Sequence, residues 1–317
     1  MGSHLCDELV KNFNVIALDD FSGGDEMNID HLLANPNFAF VRHDINNLIN
    51  LETLPELERF KIKFHGIAQV YHLACPTSPK NFTANKIATI LVNSYGLKNV
   101  LDLALHYKAK LLHFSSTVVY GPRRESSLKT VEEDLGLVDQ IGARSSYDES
   151  KRFAETMVVN YREVYGLDAK IIRFARIYGP RMRLNNGHMI PDFIVNALEE
   201  KDLVIFGDDD FNSTLCYVKD AIDAAIKIMN TELIGPINVG SDIDVNMTVL
   251  AQKIIDIIGA KSKILHKEKL LFMSSLCRPD ITKARNDLGG LPIVILEKGL
   301  EKTIEALRAR RGLIRFN

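Results

Sequence analysis

Tyr147 and Lys151 stand four residues apart in Ser-Tyr-Asp-Glu-Ser-Lys, residues 146–151. In a helix that spacing puts both side chains on one face, one turn apart. An ammonium beside a phenol favours the phenolate and lowers its pKa from about 10. A tyrosine tuned in this way takes a proton from a sugar hydroxyl as a general base, the opening step of an alcohol oxidation. The same spacing also occurs on solvated helix faces that are merely amphipathic. The surrounding elements decide between the two.

Those elements alternate. Short β-rich apolar runs over residues 15–18, 38–41, 68–73, 110–114 and 169–173 read as strands, and residues 88–107 and 147–165 read as helices. This order predicts a parallel sheet with helices on both faces. Past residue 181 the alternation loosens. Residues 203–206 and 235–239 read as strands, and 218–229, 247–258 and 296–308 as helices. The expectation is a Rossmann-like, doubly wound α/β domain over residues 1–177. A smaller α/β substrate domain follows over 178–317, with the site between the two.

A dinucleotide-binding unit begins strand, Gly-rich turn, helix. The pyrophosphate sits on the helix N-terminus, and an acidic residue ending the second strand takes the ribose hydroxyl. The back half of that unit is legible. Residues 2–10 read as the body of the first helix, and Asp19 ends the next strand. The alternative for Asp19 is a turn residue. The front half is not there: no strand precedes Gly2, and only Gly2 is left to be the final glycine of the turn, the one for close helix–strand packing. The expectation is a sheet with a gap at its centre and unpaired backbone along it. The natural chain is then expected to start about ten to fifteen residues earlier, the size of a strand plus its turn. As written, the chain is expected to bind a dinucleotide poorly.

Composition narrows the partners. The 317 residues are 46% hydrophobic and 25% charged, with a formal net charge of -2. Such a balance gives no support for a nucleic-acid or acidic-membrane partner. Cys6, Cys75, Cys216 and Cys277 are scattered, without metal-ligand spacing or a disulfide framework, which fits a reducing, cytoplasmic setting. No apolar run has membrane-spanning length, and no signal-peptide pattern opens the chain. The basic run Arg308, Arg310, Arg311 reads as a solvated helix end.

Taken in order, the segments resemble the extended short-chain dehydrogenases/reductases, the NAD-dependent sugar-nucleotide epimerases, dehydratases and decarboxylases, and among them the UDP-glucuronate decarboxylases. Leu-Asp-Asp-Phe-Ser-Gly (18–23) is similar to the family's ribose-binding turn, and Arg-His-Asp-Ile (42–45) to its adenine-side segment, implying a role for Asp44. Tyr-His-Leu-Ala-Cys-Pro-Thr-Ser-Pro (71–79) resembles a loop beside the cofactor, and Asn93 matches a family asparagine. Phe-Ser-Ser-Thr-Val-Val-Tyr-Gly (114–121) resembles the strand that carries the catalytic hydroxyl, here Ser116. Gly-Ala-Arg-Ser-Ser-Tyr-Asp-Glu-Ser-Lys-Arg (142–152) is very similar to the decarboxylase form of the tyrosine–lysine motif. Tyr-Gly-Pro-Arg-Met (178–182), Cys-Tyr-Val (216–218) and Arg-Pro-Asp-Ile (278–281) continue the match.

The resemblance implies NAD as cofactor and a UDP-sugar as substrate. Gly2, Asp19, Asp44, Asn93 and Lys151 would hold the cofactor. Arg176, Arg181, His188 and Arg278 would meet the substrate. Tyr147 would take the 4-hydroxyl proton, Ser116 would hydrogen-bond the same oxygen, and carbon 4 would pass hydride to NAD⁺. The resulting 4-ketone would let UDP-glucuronate lose carbon dioxide, or let an epimerase return hydride to the other face. A homodimer through the helices over 88–107 and 147–165 is the family's expectation. The sequence departs from the decarboxylase pattern at three kinds of position. Val118 replaces a glutamate, Arg176 an asparagine, and Ser213 and Cys277 arginines. These departures also leave open a related substrate, or a silent binding relative. Simpler readings stand beside the functional ones. Ser116 can end a strand on local backbone, Arg181 and Arg278 can be surface ion-pair partners, and His72 and His113 can be satisfied core histidines.

Overall fold

The computed structural model describes residues 1–124, 128–207, 210–270, 273–290 and 294–314. Helix α1 (Gly2–Leu9) precedes strands β1 (Val15–Asp19) and β2 (Phe38–Arg42). A one-turn helix α2 (Ile62–His65) leads to β3 (Gln69–His72). Helix α3 (Lys86–Leu91) continues through a π-helical turn, Val92–Gly96, into α4 (Leu97–Tyr107). Then come β4 (Lys110–Ser116), β5 (Lys129–Thr130), α5 (Ser145–Tyr165), β6 (Ala169–Phe174) and β7 (Arg176–Tyr178). The later half holds α6 (Met189–Leu198), β8 (Leu203–Phe206), β9 (Asn212–Tyr217), α7 (Val218–Met229) and β10 (Ile237–Val239). It closes with β11 (Asp244–Asn246), α8 (Met247–Ile258), β12 (Ile264–Lys267), β13 (Arg278–Pro279), α9 (Thr282–Asp287) and α10 (Leu296–Ile314).

Four parallel strands in the order β10-β6-β4-β3 form the main sheet. Leu111 through Ser115 of β4 are all buried, as expected of a strand covered on both faces. On one face Leu111, Ala169 and Ile171 pack against Leu97 and Leu101 of α4 and Ala154 and Val158 of α5. On the other, Leu112, Phe114, Ile172 and Phe174 join α1 and α7 in the largest core cluster. The fold is thus the α/β, doubly wound kind that the alternation predicts.

The predicted gap is visible. β1 and β2 pair in parallel from Val15–Phe38 to Asp19–Arg42 as a separate two-stranded sheet, and no ladder joins β1 to β3 among the described residues. Helix α4 spans the division. Leu97 and Leu101 belong to the main-sheet core, while Leu103 and Tyr107, like Ile16 and Leu18 of β1, pack on the cluster built around Ala39 and Val41 of β2.

One strand of the later half enters the main sheet. β10 pairs with β6 inside the main sheet, Ile237 opposite Ile172. Beyond that sheet lie the three strands β11-β9-β7 and the parallel pair β12-β8. Two of these elements escape the apolar pattern. α6 carries Pro191 in its first turn, where proline is tolerated, and β9 buries polar Ser213 and Thr214. The basic end of α10 is not simply solvated: Arg310 pairs with Asp25 and reaches the Met182 carbonyl at 3.4 Å. Among the described residues no helix is long and apolar enough to cross a membrane.

Candidate active site

Two elements meet at the C-terminal end of the main sheet, the edge where open α/β sheets bind ligands. β4 ends at Ser116, in register with Phe174 of β6. Its chain then turns through Thr117–Tyr120 to Gly121, whose φ of +79° suits glycine, and whose added Cβ would lie 1.8 Å from the Leu137 carbonyl. α5 runs back along the sheet. Asp148 in its first turn takes a bidentate contact from Arg144 (3.0 and 2.8 Å), and Gly166 ends it in the left-handed region.

Tyr147 and Ser116 come together. The serine hydroxyl acts on the phenol as a hydrogen-bond partner. Ser116 also accepts from the Val118 amide at 3.4 Å, so the simpler local-backbone reading holds as well. Lys151 lies one turn on, only 3% exposed, and its Nζ donates to the Phe114 carbonyl at 2.9 Å. The phenol pKa departs from the sequence-based expectation. Burial pushes it up, with Cys75 adding to the rise, against a lowering by Arg144 and Ser116. Desolvation outweighs the neighbouring cations here, and the ammonium is turned to a backbone oxygen.

Asn93 is completely buried in the π-helical turn. Its Nδ2 points to the Thr89 carbonyl (2.9 Å), Ser150 Oγ (3.2 Å) and Cys75 Sγ (3.1 Å), while its Oδ1 is buried with no partner among the described residues. It therefore ties α5 to the loop after β3. Asp19 ends β1, accepts from the Phe21 amide at 2.7 Å, and feels the charge of the amine that opens α1. Asp44 accepts the Asn46 amide at 2.9 Å in a local turn. Gly2 differs from expectation: a Cβ there would meet nothing within 4 Å, so close helix–strand packing does not call for a glycine in this structure.

The four substrate candidates divide. Arg181 pairs with Asp7 of α1 at 2.7 Å, the simpler reading. Arg278 donates from Nε to the Asp242 carbonyl at 2.7 Å, also a structural contact. Arg176 and His188 are neighbours: burial and the Arg176 charge hold the His188 imidazole down at about 4. The loop bearing His188 is fixed by Ser78 Oγ and the Lys80 amide, each donating to the Asn186 carbonyl at 3.0 Å.

Several residues escape a motif reading. Cys75 and Arg144 border Tyr147. Below them runs a buried polar network. Ser115 Oγ donates to Glu155 at 2.5 Å, Arg173 binds the same carboxylate at 2.6 and 2.9 Å, and Arg173 also reaches the Tyr120 hydroxyl at 2.7 Å. Tyr120 in turn donates to Asn238 at 2.7 Å. One signal was available: Tyr147, Lys151 and Glu155 repeat every four residues along one helix face.

His72 and His113 sit opposite each other in β3 and β4, ring centroids 5.4 Å apart. Burial, then the Lys151 charge, holds His72 down at about 3 and His113 well below its ordinary value. Both belong to the core, but not as the satisfied histidines expected: among the described residues His72 Nε2 and both His113 nitrogens are buried without partners. In the unfolded chain each protonates near 6.5, so below that pH the unfolded state binds more protons and stability falls as pH falls. Each imidazole is expected to cost about 2 kcal/mol at pH 5 relative to neutral pH. Urea unfolding of His113→Leu should show a flatter loss between pH 6.5 and 5 than the parent protein; equal slopes would reject this origin.

The residues present fit a dinucleotide. Among the described residues no side chain caps the first turn of α1, whose His4 amide donates to the Met1 carbonyl at 3.0 Å, and Asp19 ends the neighbouring strand β1. Lys151 lies one turn from Tyr147 on α5, and Asn93 Oδ1 is buried with no partner among the described residues.

Comparison with known proteins agrees with this geometry. A family model described as the NAD dependent epimerase/dehydratase family matches residues 1–240. UDP-glucuronic acid decarboxylase 1 of Arabidopsis thaliana is 33% identical over 311 residues, covering 98% of this chain and 68% of that protein. UDP-glucuronic acid decarboxylase 5 of the same plant is 34% identical over 320 residues, covering 99% of this chain and 88% of the relative. Among solved structures, the UDP-glucuronic acid 4-epimerase of Bacillus cereus in complex with UDP-glucuronic acid and NAD is 27% identical. It covers 98% of this chain and 96% of its own, with a TM-score of 0.84.

Proposed function

The chain belongs to the NAD-dependent epimerase/dehydratase family, and on that footing we propose that it converts UDP-glucuronate to UDP-xylose through a 4-keto sugar. The coarser statement is that it is an enzyme of NAD-dependent sugar-nucleotide modification. Oxidation at carbon 4 is supported by a single observation, the Ser116 hydroxyl against the Tyr147 phenol at the end of β4. The decarboxylase relatives supply the substrate.

NAD, when bound, supplies a reversible hydride acceptor for carbon 4. Asp19, the first-turn amides of α1, Asp44, Asn93 and Lys151 would hold it. Tyr147 takes the 4-hydroxyl proton while Ser116 holds the same oxygen. The carboxylate on carbon 5 is then β to a ketone. The electrons of the breaking carbon–carbon bond move into that ketone, and the two hydroxyls stabilise the enolate oxygen as carbon dioxide leaves. Protonation of carbon 5 from solvent gives the 4-keto pentose, and UDP-xylose results once carbon 4 regains the hydride that NAD would hold and its oxygen regains the proton from Tyr147, leaving NAD⁺ as at the start. Val118 is 3% exposed and apolar, and donates no proton to that step.

Val118 also favours a second reading, 4-epimerisation, which needs no acid at this position because the ketone is only turned and reduced on its other face. Incubation with NAD and UDP-glucuronate separates the readings. Carbon dioxide with UDP-xylose is expected. UDP-galacturonate without gas supports the epimerase, and no reaction with no NAD bound supports a silent binding relative.

A homodimer is part of the proposal. Ile87, Leu91 and Tyr95 beside α4, and Phe153 and Val164 on α5, are 46–68% exposed, an apolar stripe on the two helices. Light scattering should give about 71 kDa, twice the 35.6 kDa chain, and Phe153→Glu should shift it to the monomer. Monomeric parent protein would end this part. All four cysteines are free in the structure, in keeping with a proposed cytoplasmic location.

A further inference from the structure

Arg176 has no hydrogen-bond or ion-pair partner among the described residues, and its Nε is sealed from solvent. Its position explains what such a partner must be. β7 starts two residues past Phe174, which pairs with Ser116, so Arg176 stands at the ligand-binding end of the strands. The Arg144 charge acts on both the Tyr147 phenol and the Arg176 guanidinium. The Asp148 carboxylate is engaged by Arg144. His188, the other titratable neighbour, is neutral at pH 7. Burial and the Arg144 charge lower Arg176 only to about 10, so it keeps its charge at neutral pH. Arg176 is part-buried with its Nε sealed and unpaired among the described residues, and a guanidinium fork matches carboxylate and phosphate oxygens.

We infer that Arg176, with Arg144 beside it, forms a subsite for an anionic group of the substrate, either the sugar carboxylate or the diphosphate, and selects ligands by that charge. This rests on the sugar-nucleotide reading of the same site. An arginine here is a departure from the asparagine of the pattern that the chain resembles, so the subsite is a property of this chain.

Titration calorimetry of the parent protein and Arg176→Gln with UDP-glucuronate, UDP-glucose and UDP tests it. The loss of a charge-assisted contact is expected to weaken binding roughly 10- to 100-fold. A loss confined to UDP-glucuronate assigns the sugar carboxylate. An equal loss for all three assigns the diphosphate. Arg176→Lys should recover much of the affinity in either case. Because the ligand-free guanidinium is uncompensated, Arg176→Gln should unfold at the same or a higher temperature than the parent. Unchanged affinity for all three ligands in Arg176→Gln overturns the subsite, as does a parent protein that binds none of them. A parent protein that binds UDP-glucuronate through Arg176 yet releases no carbon dioxide leaves the subsite standing and removes the decarboxylase reading.

Discussion

Tyr147→Phe should lower turnover of the sugar nucleotide by about 10³-fold or more, at the upper end of what a positioned general base supplies. The change removes one oxygen and keeps the ring, so the packing of α5 against β4 should survive. Binding of UDP-glucuronate, measured by calorimetry, should be nearly unchanged, since the phenol acts on a hydroxyl that other groups already hold in place. Burial pushes the phenol pKa up, with Cys75 adding to it, and Arg144 and Ser116 act against the rise. A base held that high works only if the bound reactants bring it down. The rate of the parent enzyme should therefore rise with pH through the range where the phenol of the complex ionises, and Ser116→Ala should move that limb upward. Turnover in Tyr147→Phe within a few-fold of the parent would remove the assigned base.

The largest effect on stability is expected at Glu155. Its carboxylate takes Ser115 Oγ at 2.5 Å and Arg173 at 2.6 Å, with both ionic side chains about 11% exposed. Glu155→Ala leaves the Arg173 guanidinium uncompensated among Tyr120 and the strand ends, at a cost of about 3–5 kcal/mol. The double change Glu155→Leu with Arg173→Met removes both charges and should recover most of that loss, because a well-packed apolar pair can replace a buried ion pair. Urea midpoints of the three variants measure it. If Glu155→Ala and the double variant unfold alike, the uncompensated charge is not the cause. Activity should fall with Glu155→Ala, since this network fixes α5, and with it Tyr147, against β4.

Elements with a strong period were legible in the sequence. Residues 203–206, 218–229 and 247–258 form the predicted strand and helices with the predicted ends, because their apolar spacing alone decides which face is buried. The rod over residues 88–107 was legible as one helix, though its π-helical turn at Val92–Gly96 was not, since local spacing says little about a single extra residue. β9 was hidden because it buries Ser213 and Thr214, and α6 because proline opens it.

At the site, residues within one element were easier to assign than residues meeting across elements. Tyr147, Lys151 and Ser116 stand where the motif places them. Arg181 answers to Asp7, 174 positions away in the chain, so its ion pair could not be read from its own neighbourhood. The unpaired Nε of Arg176 was equally invisible, because it depends on which groups distant parts of the chain bring beside it. The phenol pKa was misjudged for a related reason. Spacing shows that an ammonium is one turn away, but not that it donates to the Phe114 carbonyl or how far burial disfavours the phenolate.

The account stands on oxidation at carbon 4 by the Tyr147–Ser116 pair. The most direct test is to incubate the protein and NAD with UDP-glucuronate deuterated at carbon 4 and follow the sugar by NMR. The account predicts a UDP-pentose that retains deuterium on carbon 4, formed with one carbon dioxide per sugar. Washout of that deuterium into water, or no consumption of UDP-glucuronate by NAD-loaded protein, would contradict it.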